Sequence, residues 1–80
     1  MYRLKYDPAA EAVHEAMPAA ASEALTLALA GACHDPLAAA KPYGEDDGIV
    51  RIIITEQAFA VLLIGTTLKT IIVLQVTYLG

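Results

Sequence analysis

Ile49-Val50-Arg51-Ile52-Ile53-Ile54-Thr55-Glu56-Gln57-Ala58-Phe59-Ala60-Val61-Leu62-Leu63-Ile64-Gly65-Thr66-Thr67-Leu68-Lys69-Thr70-Ile71-Ile72-Val73-Leu74-Gln75-Val76-Thr77-Tyr78 decides the fold. It is built of β-branched and aliphatic side chains, which suit a pleated, packed surface. Two short polar breaks divide it. Ile49 to Thr55 reads as a strand, Glu56-Gln57 as a tight turn and Ala58 to Ile64 as a second strand. Gly65-Thr66-Thr67 turns again, and Leu68 to Tyr78 is a long last strand. Strands joined by such short turns form an antiparallel meander. A transmembrane helix over Ala58 to Leu79 is the competing reading. The turn signal sits at its midpoint, and Lys69 near a bilayer centre would cost roughly 2.5–3.5 kcal/mol.

Upstream, Tyr2, Leu4 and Tyr6 alternate with Arg3 and Lys5, the period of a half-buried strand. Asp7-Pro8 pairs a side chain able to accept orphan amide hydrogens with a residue preset for the first helical position. A first helix is expected from Pro8 to about Met17. Pro18 breaks it and opens a second, to about Cys33. Ala21, Leu25, Ala28, Leu29 and Ala32 then share one helix face. Asp35-Pro36 stops that helix, and Leu37 to Ala40 has room for one short turn. Lys41-Pro42-Tyr43-Gly44-Glu45-Asp46-Asp47-Gly48 has the composition of an exposed loop. The order is β-α-α-β-β-β. The expected fold class is α+β, a helical hairpin packed on one face of a four-stranded, mainly antiparallel sheet. Leu25 and Leu29 are expected beneath Ile52, Ile54, Ile72 and Leu74.

Eighty residues make a single domain spanning 1–80. Hydrophobic residues are 58% of the chain and charged ones 18%, the reverse of a disordered composition. The start of the chain has no continuous apolar run of the kind a secretory signal needs. Cys33 stands alone, which excludes an internal disulfide and suits a reducing cytoplasm. No cofactor is expected. His14 and His34 read as surface histidines, lacking the further ligands a zinc site needs. The net charge is −4, with five Lys and Arg against nine Asp and Glu. Phosphate contacts require cations, so this balance opposes an extensive nucleic-acid surface.

The last two strands are apolar on both faces, yet one helical hairpin covers only one. The second face is expected to need a partner, through Phe59, Val61, Leu63, Ile71 and Val73. The candidates are a homodimer or the apolar segment of another protein.

The element order and several spacings resemble the RelE/ParE toxins of bacterial type II toxin–antitoxin systems. The matching pieces are Met1-Tyr2-Arg3-Leu4 with Tyr6, Pro8-Ala9-Ala10-Glu11, Met17-Pro18, Asp35-Pro36, Lys41 and Ile49-Val50-Arg51-Ile52. The resemblance implies a cytoplasmic protein held by a cognate antitoxin. It implies either ribosome-dependent messenger RNA cleavage, as in RelE-like members, or contact with a gyrase-type target, as in ParE-like members.

For cleavage, the resemblance offers Arg51 and Lys41 as cations for the phosphate and Tyr78 as the proton-handling group. Arg can bond two phosphate oxygens at once, and an aligned cation stabilises the developing charge. The plain alternative for Arg51 is a strand charge facing solvent or pairing with Glu45-Asp46-Asp47. For Lys41 it is an exposed cation at a helix end, and for Tyr78 ordinary strand packing. The departures weigh against cleavage. Ala58 stands where the family carries a second Arg, and neither helix contains Lys or Arg. The expected function is therefore protein binding, with ribonuclease activity weak or lost. The alternatives are a RelE-like endonuclease using Arg51, Lys41 and Tyr78, or a small membrane-associated or structural protein.

Overall fold

A computed structural model describes residues 1–44 and 48–80. The acidic stretch Glu45-Asp46-Asp47, with any pairing to it, lies outside the described residues. Eight elements follow in order: β1 (Arg3–Tyr6), α1 (Pro8–Ala16), α2 (Ala19–His34), α3 (Pro36–Ala39), β2 (Lys41–Pro42), β3 (Val50–Ile54), β4 (Ala58–Gly65) and β5 (Thr70–Tyr78).

Local chemistry places the helix starts. The Asp7 carboxylate accepts from the Ala9 amide at 3.2 Å, with Pro8 next in the chain. Met17 and Pro18 are both extended (ψ 152° and 149°), so α1 and α2 are separate helices rather than one kinked rod. Asp35 ends α2 and caps α3, accepting from the Ala38 amide at 3.3 Å.

The sheet order is β1-β5-β4-β3-β2. β3, β4 and β5 form the expected antiparallel meander, while β1 pairs with β5 in parallel. The sheet is thus mixed and has five strands. The extra strand is β2, in the stretch whose composition reads as loop. Lys41 pairs with Ile52, and Pro42 with Arg51. Two residues suffice for that, and Pro is tolerated because β2 is an edge.

The helices lie on one face. α1 packs on β5, α2 on β4 and α3 on α2. The core between the layers contains Leu25, Leu29, Leu62, Ile71 and Val73, all below 2% exposure. Ile53 and Ile64 join them. This corrects the expected packing. Leu25 and Leu29 face Ile53, Leu62, Ile71 and Val73, whereas Ile52, Ile54, Ile72 and Leu74 belong to the other face. Two causes combine. Alternation gives no phase when both faces are apolar, and a one-residue slip reverses every side chain. A β-bulge then changes the phase partway along β5. Leu62 pairs with Val73 but Val61 with Gln75, leaving Leu74 extra. The helix-facing residues of β5 are consequently Ile71, Val73 and Val76 rather than a strict alternation.

No helix among the described residues is long and apolar enough to cross a membrane. The Ala58–Tyr78 stretch is two strands joined by a four-residue turn, Thr66 to Lys69. Lys69 closes the turn with φ 53°, and its ammonium lies 5.2 Å from the Tyr2 ring centroid.

Leu25 and Leu27 provide a contrast within one helix, at 0% and 75% exposure. Leu25→Ala should destabilise the fold by about 2–5 kcal/mol, and Leu27→Ala by no more than about 0.5 kcal/mol. Urea denaturation followed by circular dichroism measures both.

Candidate functional site

Among the described residues no element packs on the sheet face opposite the helices. Register assigns it Val50, Ile52 and Ile54 from β3, Phe59, Val61 and Leu63 from β4, and Ile72, Gln75 and Thr77 from β5. These side chains cover one another in part. Val61, at the centre, is only 6% exposed, and Phe59, Leu63, Ile52 and Ile72 are half-buried. Ile54 and Leu74 are open at 60% and 41%. Three of the five expected partner residues, Phe59, Val61 and Leu63, stand on this face. Ile71 and Val73 do not: both are fully buried against the helices. The bulge and the phase ambiguity give their places to Ile72 and Leu74.

Charge is sorted by layer. α1, α2 and α3 contain no Lys or Arg, and the five strands contain no Asp or Glu. Arg3 and Lys5 alternate with Leu4 and Tyr6, which pack toward the core, so their side chains leave β1 on the outer face. Lys41 stands opposite Ile52 and joins that face from β2. The outer face is therefore apolar on β3, β4 and the first half of β5, polar at Gln75 and Thr77, and flanked by cations at both edges.

Arg51, Lys41 and Tyr78 do not converge. Arg51 is 7% exposed on the helix side, which overturns its reading as a solvent-facing strand charge. Its Nε and one terminal nitrogen donate to the Ala40 carbonyl at 3.2 and 2.7 Å. The same terminal nitrogen reaches the Leu37 carbonyl at 3.4 Å. The guanidinium thus donates to carbonyls at the end of α3, where a cation is favoured. Lys41 is a strand residue on the opposite face rather than a helix-terminal cation. Tyr78 pairs with Ala58, whereas Arg51 pairs with Leu62. At about 3.4 Å per residue and 4.8 Å per strand, Arg51 and Tyr78 lie roughly 14 Å apart along the strands and 10 Å across them.

A second cluster escaped the sequence reading. His14 is 8% exposed, not a surface residue. Its Nε2 lies 3.1 Å from both the Ser22 carbonyl and the Thr26 hydroxyl. A carbonyl only accepts, so Nε2 carries the proton, and Nδ1 accepts from the Tyr6 hydroxyl at 2.9 Å. One ring therefore ties together β1, α1 and α2. Tyr6, Glu11, His14, Glu15, Ser22 and Thr26 line an open cleft of about 240 Å³ beside it. The available signal was spacing: Ala10, His14 and Met17 fall at i, i+4 and i+7, and all three are buried. Burial pushes the Tyr6 phenol above its ordinary 10.0, and Glu11 and Cys33 add to the rise. Burial likewise raises the Cys33 thiol above 9.0, with the N-terminal ammonium opposing. Among the described residues no three of His, Cys, Asp and Glu stand together where they could hold a metal ion.

The arrangement of layers has close counterparts among solved structures. The isolated Escherichia coli RelE toxin superimposes with a TM-score of 0.84 over 100% of this chain and 86% of that one, at 19% identity. The fold is that of the RelE toxins. RelE-type structures of similar closeness include the intact E. coli RelBE toxin–antitoxin complex, with a TM-score of 0.83 at 19% identity over 100% of this chain and 99% of that one. The RelBE2 complex of Mycobacterium tuberculosis scores 0.81 at 17% identity, covering 96% of each chain. No family model matches the sequence, and no curated protein does.

Two outcomes follow. Arg51→Ala leaves buried carbonyls without a donor and should cost about 1–3 kcal/mol in a denaturant titration. The raised Tyr6 phenol favours the folded state fully below its unfolded value near 10, and that contribution is lost as pH rises through the higher folded value. Stability should therefore fall above about pH 10, and the fall should be shallower in Tyr6→Phe, measured by thermal unfolding across alkaline pH.

Proposed function

We propose that this chain is the toxin-fold member of a bacterial type II toxin–antitoxin system, held in the cytoplasm by a cognate antitoxin and acting by protein contact, with ribonuclease chemistry weak or lost. Two of the RelE-fold neighbours are complexes of toxin with antitoxin, which supports an antitoxin as the partner. A gyrase-type target and a homodimer fit the same mode of action, since each needs an apolar contact surface rather than a cationic pocket.

The divergence of Arg51, Lys41 and Tyr78 carries the reading against cleavage. Attack by a ribose 2′-hydroxyl needs a proton acceptor, cations at the phosphate and a proton donor for the leaving oxygen, all around one phosphorus. Here one cation is committed to the carbonyls of α3, another leaves the opposite face, and the phenol is distant from both. A misplaced transition-state donor costs about 2.7–4 kcal/mol, or 100–1,000-fold in rate. With Ala58 in place of a second Arg, a second such loss follows.

Primer-extension mapping on translating ribosomes is the test. The purified chain should leave messenger RNA uncut at enzyme concentrations where a RelE-type nuclease cuts fully. Efficient cleavage that disappears in Lys41→Ala or Tyr78→Phe would show the endonuclease reading to be right. Both positions are exposed, so these variants keep the fold.

A further inference from the structure

Two cavities adjoin in the helical layer. Tyr6, Glu11, His14, Glu15, Ser22 and Thr26 line one of about 240 Å³, and Glu23, Thr26 and Leu27 line another of about 250 Å³. Thr26 belongs to both, so they meet at its side chain. We propose that together they bind a small organic cation, with a primary ammonium or guanidinium head in the first cavity and an apolar tail against Leu27 in the second. This site is separate from the outer sheet face and does not depend on the toxin reading.

The direction of the hydrogen bonds defines the head. His14 Nε2 faces the Ser22 carbonyl and so carries the imidazole proton, and the single proton of the Tyr6 hydroxyl goes to Nδ1. The Thr26 hydroxyl donates its own proton to the Ser22 carbonyl at 2.9 Å. Both oxygens therefore have only lone pairs to offer the cleft. The carboxylates of Glu11 and Glu15 add acceptors and no donor. These two acids stand four residues apart on α1, a spacing at which like charges repel along a helix. No Lys or Arg on α1, α2 or α3 relieves that repulsion. The charge of Glu11 reaches the Tyr6 phenol, where it adds to the effect of burial. Acceptors and negative charge converging on one cleft suit a cation that carries several N–H donors. An anion would meet both carboxylates. A bare metal ion lacks a third ligand, since among the described residues no three of His, Cys, Asp and Glu stand together.

Exposure defines the tail. Leu27 is 75% exposed, while Leu25 and Leu29 on the same helix are at 0% and 1%. A ligand anchored by its head beside Thr26 brings its next few carbons over this leucine. Each cavity alone is smaller than the roughly 300–1,000 Å³ of a usual small-molecule site, and joined they fall within that range.

The test titrates the isotope-labelled full chain with 2-phenylethylammonium, followed by nuclear magnetic resonance. Three analogues each change one property. The N,N,N-trimethyl compound keeps the charge and the ring but has no N–H, 3-phenylpropionate inverts the charge, and ethylammonium lacks the ring. The parent amine should shift the Tyr6 ring and the Thr26 and Leu27 methyls saturably, and leave Phe59 and Ile72 in place. The trimethyl compound should bind at least about tenfold more weakly, as expected for lost hydrogen bonds to a charged group. Ethylammonium should bind about fivefold more weakly, through lost apolar contact. Phenylpropionate should cause no shift. Glu11→Gln with Glu15→Gln, both at exposed positions, should weaken the amine at least about tenfold, and Leu27→Ala about fivefold, with circular dichroism unchanged. The absence of a saturable shift would overturn the proposal. So would equal binding of the trimethyl compound or of phenylpropionate, or an affinity unmoved by either variant. Magnesium chloride is the last probe: shifts of the same residues by magnesium alone would make this a metal site and overturn the assignment to an organic cation.

Discussion

A sheet that is apolar on both faces but carries helices on one dominates this molecule. β4 lies at the centre of the imbalance. Ala58, Ala60, Leu62 and Ile64 face the helical layer, where α2 packs on β4, while Phe59, Val61 and Leu63 face outward. Neither set could exchange with a charged residue without exposing or burying the wrong atoms. The inner set gives the fold its core. The outer set is half-covered by its own neighbours, and Ile54 of β3 and Leu74 of β5 beside it stay open to solvent. The charge pattern follows the same division. Acids on the helices face water, and the strands retain only cations, three of them at the edges of the uncovered face.

The fold is that of the RelE toxins, and Arg51, Lys41 and Tyr78 stand apart in it. Arg51 shows why. In sequence it is a cation on a strand beside a loop, a plausible phosphate ligand. In the structure it closes α3 by donating to the Ala40 and Leu37 carbonyls. An arginine so engaged fixes the passage from helix to β2, and release toward a substrate would leave buried acceptors unmet. His14 plays a comparable part at the other end of the helical layer, joining β1, α1 and α2 through two ring nitrogens. Both polar residues buried among the described ones, His14 and Arg51, serve the fold's construction.

Much of this architecture was legible in the sequence. Asp7-Pro8, Met17-Pro18 and Asp35-Pro36 mark helix boundaries by mechanisms confined to a few neighbouring residues, and all three act where expected. The meander and the stripe through Leu25 and Leu29 are equally local. What could not be read was phase. Ile-Ile-Ile in β3 and Ile-Ile-Val-Leu in β5 offer an apolar residue to either face, and only the helices and the bulge at Leu74 choose between them. Alternation alone therefore points Ile71 and Val73 outward, and β2 is too short, at two residues, to carry a period. The burial of Arg51 and His14 depends on carbonyls and hydroxyls contributed by other elements, which no spacing within their own element announces.

The central claim is that the outer face is an interface rather than a finished surface. Sedimentation velocity of the isolated chain over the micromolar range tests it most directly, with Ile54→Lys alongside. The account predicts a sedimentation coefficient that climbs with concentration as uncovered faces meet, and a lower, constant value for the lysine variant. A single 8.4 kDa species at every concentration, unchanged by Ile54→Lys, would contradict it.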